Sequence, residues 1–214
     1  MIVDAAKITK QDTVLEVGTG RGILTPLLCS RALRVVSAEA DKDLYSDALL
    51  EFSGIENLEL VRGDGFETDA QFTVFVSNLP YSESKRAIEW LAGRKFQRAV
   101  IMVQKEFADK LVSGGGKDMR AISVVARHAF EIDKILDVGK NNFVPPPKVD
   151  STVLYLKKKN TVSPKLMSAV SRMFSYRRKT VTNIAKKFGK DIALDKRVDE
   201  LSAEEAMTLA KSLL

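Results

Sequence analysis

With 214 residues, 45% of them hydrophobic and 29% charged, the chain has the composition of a globular protein and the length of one full domain plus a small appendage. Its single cysteine, Cys29, cannot form an internal disulfide, and with a single histidine, His128, it argues against a zinc centre or a Cys–His nucleophile pair. No apolar run approaches a bilayer span and no signal-peptide pattern opens the sequence, so a cytoplasmic protein without membrane attachment or structural metal is expected.

Strand and helix patterns alternate along the chain. Short β-rich apolar runs predict strands at "TVLEV" (13–17), "RVVSA" (34–38), "LELV" (58–61), "TVFVS" (73–77) and "RAVIMV" (98–103). Helical patterns fall between them near 22–31, 41–52, 84–93 and 104–112, which predicts an α/β fold with a parallel sheet covered on both faces. After the flexible "SGGGKD" loop (113–118) come a helix around 119–127 and two strands near 130–137 and 152–157. These flank "FVPPPK", and their short separation suits an antiparallel pair closing the sheet edge. From about residue 163 the pattern is helical throughout "PKLMSAVSRMFSYRRKTVTNIAKKFGK" and again in "SAEEAMTLAKSLL". Ser202 and Glu205 form a capping box for the last helix, and Gly189 ends the one before it. The division expected is a catalytic domain over 1–158 and a small helical domain over 159–214.

The net charge of +6 is unevenly spread: residues 1–150 carry 20 Lys and Arg against 22 Asp and Glu, residues 151–214 carry 14 against 6, and residues 151–190 hold eleven basic side chains and no acidic one. Such segregation points to a polyanion partner, nucleic acid ahead of an anionic membrane. The plainer alternative is a solvated basic helix face.

The sharpest early signal is "VLEVGTGRGILT" (14–25), a glycine loop after a predicted strand and before a helix. Gly18, Gly20 and Gly22 permit tight turns and close approach of a ligand. A dinucleotide fingerprint needs a glycine or alanine where Ile23 stands, and no Walker lysine follows. With acidic Glu16 just ahead, the Gly-x-Gly-x-Gly spacing resembles the first motif of the S-adenosylmethionine (SAM) methyltransferases. SAM carries an ammonium and a sulfonium, which suit a loop beside a carboxylate. Glu39, at the end of the second strand, is placed to accept from both ribose hydroxyls. Asp64, in "RGDGF" after the third strand, would accept from the adenine amine. The candidate cofactor residues are Glu16, Gly18, Thr19, Gly20, Glu39, Ala40, Asp64, Gly65 and Asn78. As purely structural features, the glycines would make a turn and the carboxylates would be solvated.

At the exit of the fourth strand stands Asn78-Leu79-Pro80-Tyr81. The exocyclic amine of adenine is a poor nucleophile because its lone pair is delocalised into the ring. Acceptors at the Asn78 side chain and the Leu79 carbonyl would favour a pyramidal amine, Pro80 would stiffen the turn, and Tyr81 would offer a stacking surface. The tetrapeptide resembles the Asn/Asp-Pro-Pro-Tyr motif of amino methyltransferases, and its Asn-Leu-Pro-Tyr form resembles that of the rRNA adenine dimethyltransferases, the KsgA/Dim family. "NNFVPPPKVDSTV" (141–153) is similar to that family's later motif, and "MFSYRRKTVTNIAKK" (173–187) and "RVDELSAEEAMTLAKSLL" to its C-terminal helical domain.

The resemblance implies a class I, Rossmann-like SAM-dependent methyltransferase that dimethylates two adjacent adenosines near the 3′ end of small-subunit rRNA during ribosome biogenesis. In it Phe143 would cover the second face of the target adenine, although the residue also suits a core aromatic. Arg177, Arg178, Lys179, Lys186 and Lys187 would contact rRNA phosphates. The partner implied is rRNA within a precursor particle, met by a monomer. The family's N-terminal arm, with its Gln-Asn-Phe-Leu-like segment, has no counterpart in a sequence starting "MIVDAAKI"; weaker SAM binding is expected without it. The rival readings are a large-subunit methyltransferase of the macrolide-resistance type, a non-catalytic rRNA-binding assembly factor and a small-molecule methyltransferase.

Overall fold

The computed structural model describes residues 1–116 and 118–214. The strands are β1 (Thr13–Val17), β2 (Arg34–Glu39), β3 (Leu58–Arg62), β4 (Val74–Ser77), β5 (Arg98–Gln104), β6 (Phe130–Val138) and β7 (Ser151–Lys158). Among the described residues the helices are α1 (Ile2–Ala5), α2 (Thr25–Arg31), α3 (Lys42–Glu51), α4 (Ser84–Gly93), α5 (Lys105–Val112), α6 (Ala121–Ala129), α7 (Pro164–Phe174), α8 (Val181–Lys187) and α9 (Ala203–Ser212).

One seven-stranded sheet runs in the order β3-β2-β1-β4-β5-β7-β6. The first five strands pair in parallel, and β7 pairs antiparallel to β5 from Arg98↔Lys157 to Gln104↔Ser151. The two strands expected at the sheet edge are neighbours there, with β7 between β5 and β6. Central strands are buried along nearly their whole length, as their continuous apolar sequences require, whereas edge strand β3 alternates half-buried and exposed residues. On one face Val14, Val35, Val74, Val76, Val100, Met102 and Val153 form a core with Val3 and Ala6 near α1 and with Leu28, Cys29 and Ala32 from α2.

Two compact units make up the chain. One comprises Met1–Ser84, Lys95–Lys105 and Asp133–Lys158; the other comprises Lys85–Arg94, Glu106–Ile132 and Lys159–Leu214. The second unit thus groups α6 with α7 and α9, which it touches, where a cut at residue 158 would separate them. Within this unit the helical pattern over 163–187 is two helices and not one. Phe174 ends α7, a turn over Ser175–Lys179 follows, and the Thr180 hydroxyl caps α8 by accepting from Asn183 N–H at 3.4 Å. Gly189 adopts φ +69° just beyond α8. Ser202 and Glu205 cap α9 reciprocally, at 2.7 and 3.1 Å.

Candidate active site

The loop after β1 explains why the helix expected from residue 22 begins only at Thr25. Gly18, Gly20 and Gly22 all have positive φ (+85°, +56° and +70°), so the chain turns through left-handed conformations before it can wind. The three glycines then part company. A Cβ at Gly18 or Gly20 would meet nothing within 4 Å, whereas one at Gly22 would lie 2.1 Å from the Phe52 ring. Gly18 and Gly20 border open space; Gly22 is held by packing. Gly65 is likewise a packing glycine, since its Cβ would lie 2.6 Å from Val17 Cγ2.

Behind the loop lies a buried polar chain. Glu16, 1% exposed, accepts from Thr25 Oγ1 at 2.7 Å and from Ser37 Oγ at 2.6 Å, and Ser37 Oγ lies 2.7 Å from Thr19 Oγ1. Burial pushes the Glu16 carboxyl up to about 7; the two hydroxyls pull it back, and the nearby Glu39 charge pushes it further up. Burial also raises the Cys29 thiol to about 11, with Glu16 adding to the effect, so it is an unreactive core residue.

Glu39 ends β2 and is 7% exposed. Its two carboxylate oxygens accept from Gly20 N–H at 2.8 Å and Asp41 N–H at 2.9 Å, which locks it against the glycine loop. Each oxygen keeps a further lone pair, so this carboxylate still suits two ribose hydroxyls. Ala40 is exposed immediately beyond it. Asp64, half-buried after β3, accepts from Phe66 N–H at 2.9 Å and caps the single 3₁₀ turn Gly65–Glu67.

Asn78-Leu79-Pro80-Tyr81 leaves β4 and enters a 3₁₀ turn, Tyr81–Glu83, closed by Glu83 N–H to the Pro80 carbonyl at 2.9 Å. The Asn78 amide and Pro80 are exposed, while the Leu79 side chain is buried and anchors the turn. Tyr81 is half-buried, and its hydroxyl lies 2.6 Å from Ser151 Oγ at the start of β7, which fixes the ring from its far end. Ser77, buried just before the motif, donates to the Val17 carbonyl at 2.5 Å and ties the end of β4 to the end of β1. Phe143 is half-buried and packs against the core of the sheet. Because β1 to β4 are parallel, Gly18–Gly20, Glu39, Asp64 and Asn78 all lie at one carboxyl edge of the sheet. β1 and β4 are the neighbours at which strand order reverses, the place where such sheets bind ligands.

Sequence reasoning missed Thr25, Ser37, Ser77 and Ser151. The available signal was a hydroxyl inside or beside an otherwise apolar strand, as in "VVSAE". Among the described residues no group of three or more His, Cys, Asp or Glu side chains could hold a metal, and no helix is long and apolar enough to cross a membrane.

The family model described as ribosomal RNA adenine dimethylase matches residues 1–213. The chain belongs to the ribosomal RNA adenine dimethylase family. Its curated relatives include the ribosomal RNA small subunit methyltransferase A of Thermotoga maritima, 34% identical over 97% of this chain and 77% of the relative. Among solved structures, a dimethyladenosine transferase from Plasmodium falciparum matches with a TM-score of 0.82 and 27% identity, covering 97% of this chain and 92% of that one. The 23S rRNA methyltransferase ErmE matches with a TM-score of 0.71 and 25% identity, covering 99% and 95%. As a member of the dimethylase family the chain is a methyltransferase, and its sheet is the Rossmann-like class I sheet of these enzymes.

Proposed function

We propose that this chain uses SAM to dimethylate, at N6, two adjacent adenosines near the 3′ end of small-subunit rRNA. The observation that carries the reading is the exposed Asn78 amide on a turn held by Leu79 and Pro80, at the same sheet edge as the Gly18–Gly20 loop and Glu39. SAM supplies the methyl group on its sulfonium. Glu39 accepts from the ribose hydroxyls, Asp64 from the adenine amine of the cofactor, and the space beside Gly18 and Gly20 admits the ligand against the backbone. Asn78 Oδ1 and the Leu79 carbonyl accept from the amine of the target adenosine and aim its lone pair at the methyl. The Tyr81 ring, tethered through Ser151, carries one face of the base, and Phe143 covers the other. Residues 1–158 hold these groups, and residues 159–214 hold the rRNA through Arg177, Arg178, Lys179, Lys186 and Lys187. The target base must be unpaired or flipped, since its amine is otherwise enclosed in the duplex. The enzyme works in the cytoplasm as a monomer on a small-subunit precursor.

The test supplies radiolabelled SAM to undermethylated small subunits with the wild type and with Asn78→Ala. Dimethyladenosine is expected from the wild type, and at least a hundredfold less from the variant, about the cost of losing one preorganised hydrogen-bonding group. Label confined to large subunits or DNA would overturn the assignment.

A further inference from the structure

The turn between α7 and α8 in the helical unit holds an aromatic ring that the phosphate-contact reading leaves out. Tyr176 is half-buried. The Lys187 ammonium lies 4.7 Å from its ring centroid and that of Lys179 lies 5.6 Å away. Two lysines expected to contact phosphates therefore converge on one aromatic ring, with Arg177 and Arg178 next to it in sequence.

Among the described residues none of Arg177, Arg178, Lys179, Lys186 and Lys187 has a side-chain hydrogen bond or a carboxylate partner, although Asp191, Asp195 and Asp199 lie nearby in sequence. The backbone beneath them is held firmly. Asp199 N–H donates to the Arg177 carbonyl at 3.1 Å, Val198 N–H to that of Lys179 at 3.4 Å, and Lys179 N–H to that of Tyr176 at 2.8 Å. Val181 N–H reaches the Lys196 carbonyl at 2.8 Å, and the Arg172 guanidinium lies 4.5 Å from the Phe188 ring centroid, pinning the end of α8 to α7. A hydrogen-bonded turn presenting a ring among ammonium groups without carboxylate partners is preorganised for a stacked base with charged flanks.

We propose that Tyr176 is a base-stacking platform for an unpaired nucleotide of the rRNA other than those being methylated, with Lys179 and Lys187 on the phosphates to either side. An ammonium over a partly solvated ring is held more weakly than a stacked base, so the lysines exchange the ring for phosphate as the base arrives. The proposal rests on the small-subunit reading above. RNA is favoured over an acidic protein because the patch combines uncompensated cations with a flat ring, and any nucleobase has a face to stack on it.

The two kinds of contact leave different signatures in salt. Binding of undermethylated small subunits is measured across a potassium chloride series for the wild type, Tyr176→Leu, Tyr176→Phe and Lys187→Ala, with thermal melts of each. Tyr176→Leu should weaken binding about tenfold at every salt concentration without changing the slope of log K against log[salt], while Tyr176→Phe stays within about twofold. Lys187→Ala should lower the slope by about 0.7, the share of one single-strand phosphate. Ultraviolet cross-linking of the wild-type complex should join Tyr176 to a nucleotide, and this result does not depend on how the leucine variant folds. Wild-type binding by Tyr176→Leu, a phenylalanine variant as weak as the leucine one, or no cross-link at Tyr176 would overturn the platform. A wild type that neither binds nor methylates small subunits would overturn the functional reading as well, whereas an active wild type with an unaffected leucine variant overturns the platform alone.

Discussion

Glu16 carries a proton-linked cost that can be measured. Its carboxyl is raised from 4.5 to about 7, chiefly by burial, so between those pH values the folded protein binds a proton that the unfolded chain does not. Stability therefore falls as pH rises through this window and levels off above it, by at most about 3 kcal/mol at 1.36 kcal/mol per pH unit. Glu16→Gln keeps an oxygen for Thr25 and Ser37 to donate to and removes the titration. Urea unfolding at pH 5 and pH 8 should show the wild type losing more stability than the variant across the interval; parallel profiles would refute the linkage. The acidic residue and the glycines were legible in the sequence as one motif, but their separate duties were not. Nothing in "EVGTGRG" tells that Gly22 answers to Phe52, thirty positions further along the chain, while Gly18 and Gly20 face open space. Tyr81 is similar: its presence signalled stacking, but its tether to Ser151 depends on a strand seventy residues away.

At the scale of elements, the strands and most helices could be read from apolar runs because burial on both faces leaves a continuous signal. What could not be read was how the ends are held. Asp12, before β1, accepts from Arg98 at 2.7 Å, from Thr73 Oγ1 at 2.8 Å, and from Thr9 N–H and Oγ1 at 2.9 and 3.0 Å. Burial opposes the charge on Asp12, but the bonds from Thr73, Thr9 and Arg98 outweigh it and hold the carboxyl below its ordinary value. Arg98 also donates to the Ala6 and Lys7 carbonyls at 2.8 and 2.9 Å, so one guanidinium fastens the N-terminal segment to the start of β5. With the Arg98 and Asp12 side chains only 13% and 6% exposed, Arg98→Met leaves a buried carboxylate short of its cation. A loss of about 3–5 kcal/mol in unfolding free energy is expected. Adding Asp12→Asn should recover part of it, and additive losses in the double-mutant cycle would show that the two side chains act independently. The break between α7 and α8 is invisible in the sequence for the opposite reason. The sequence there remains compatible with a helix, and the turn is imposed by hydrogen bonds from residues 194–199, which pattern reading does not join to it.

For the whole molecule, the charge count and the contacts divide the chain at different places. The change to basic, helical sequence near residue 159 marks where function changes in the proposed reading, and composition alone reveals it. Compactness follows burial instead. In the helical unit α6 touches both α7 and α9, and it brings buried Ile122, Val124, Val125, Ala126 and Ala129 from earlier in the chain. Each fully buried aliphatic side chain of this size contributes about 1.5–3 kcal/mol, so losing three of them approaches the whole stability of an ordinary domain. A fragment of residues 159–214 keeps the buried faces of α7 and α9, including Val170, Met173, Phe174, Met207 and Leu209, but loses what α6 lays against them. Chains this short are already marginal because so much of their surface stays exposed. Expressed alone, the fragment should show weak helical circular dichroism and no cooperative thermal transition, and the full chain should show both. A cooperative melt of the fragment would mean that α7 to α9 are a domain in their own right and that α6 only rests upon it.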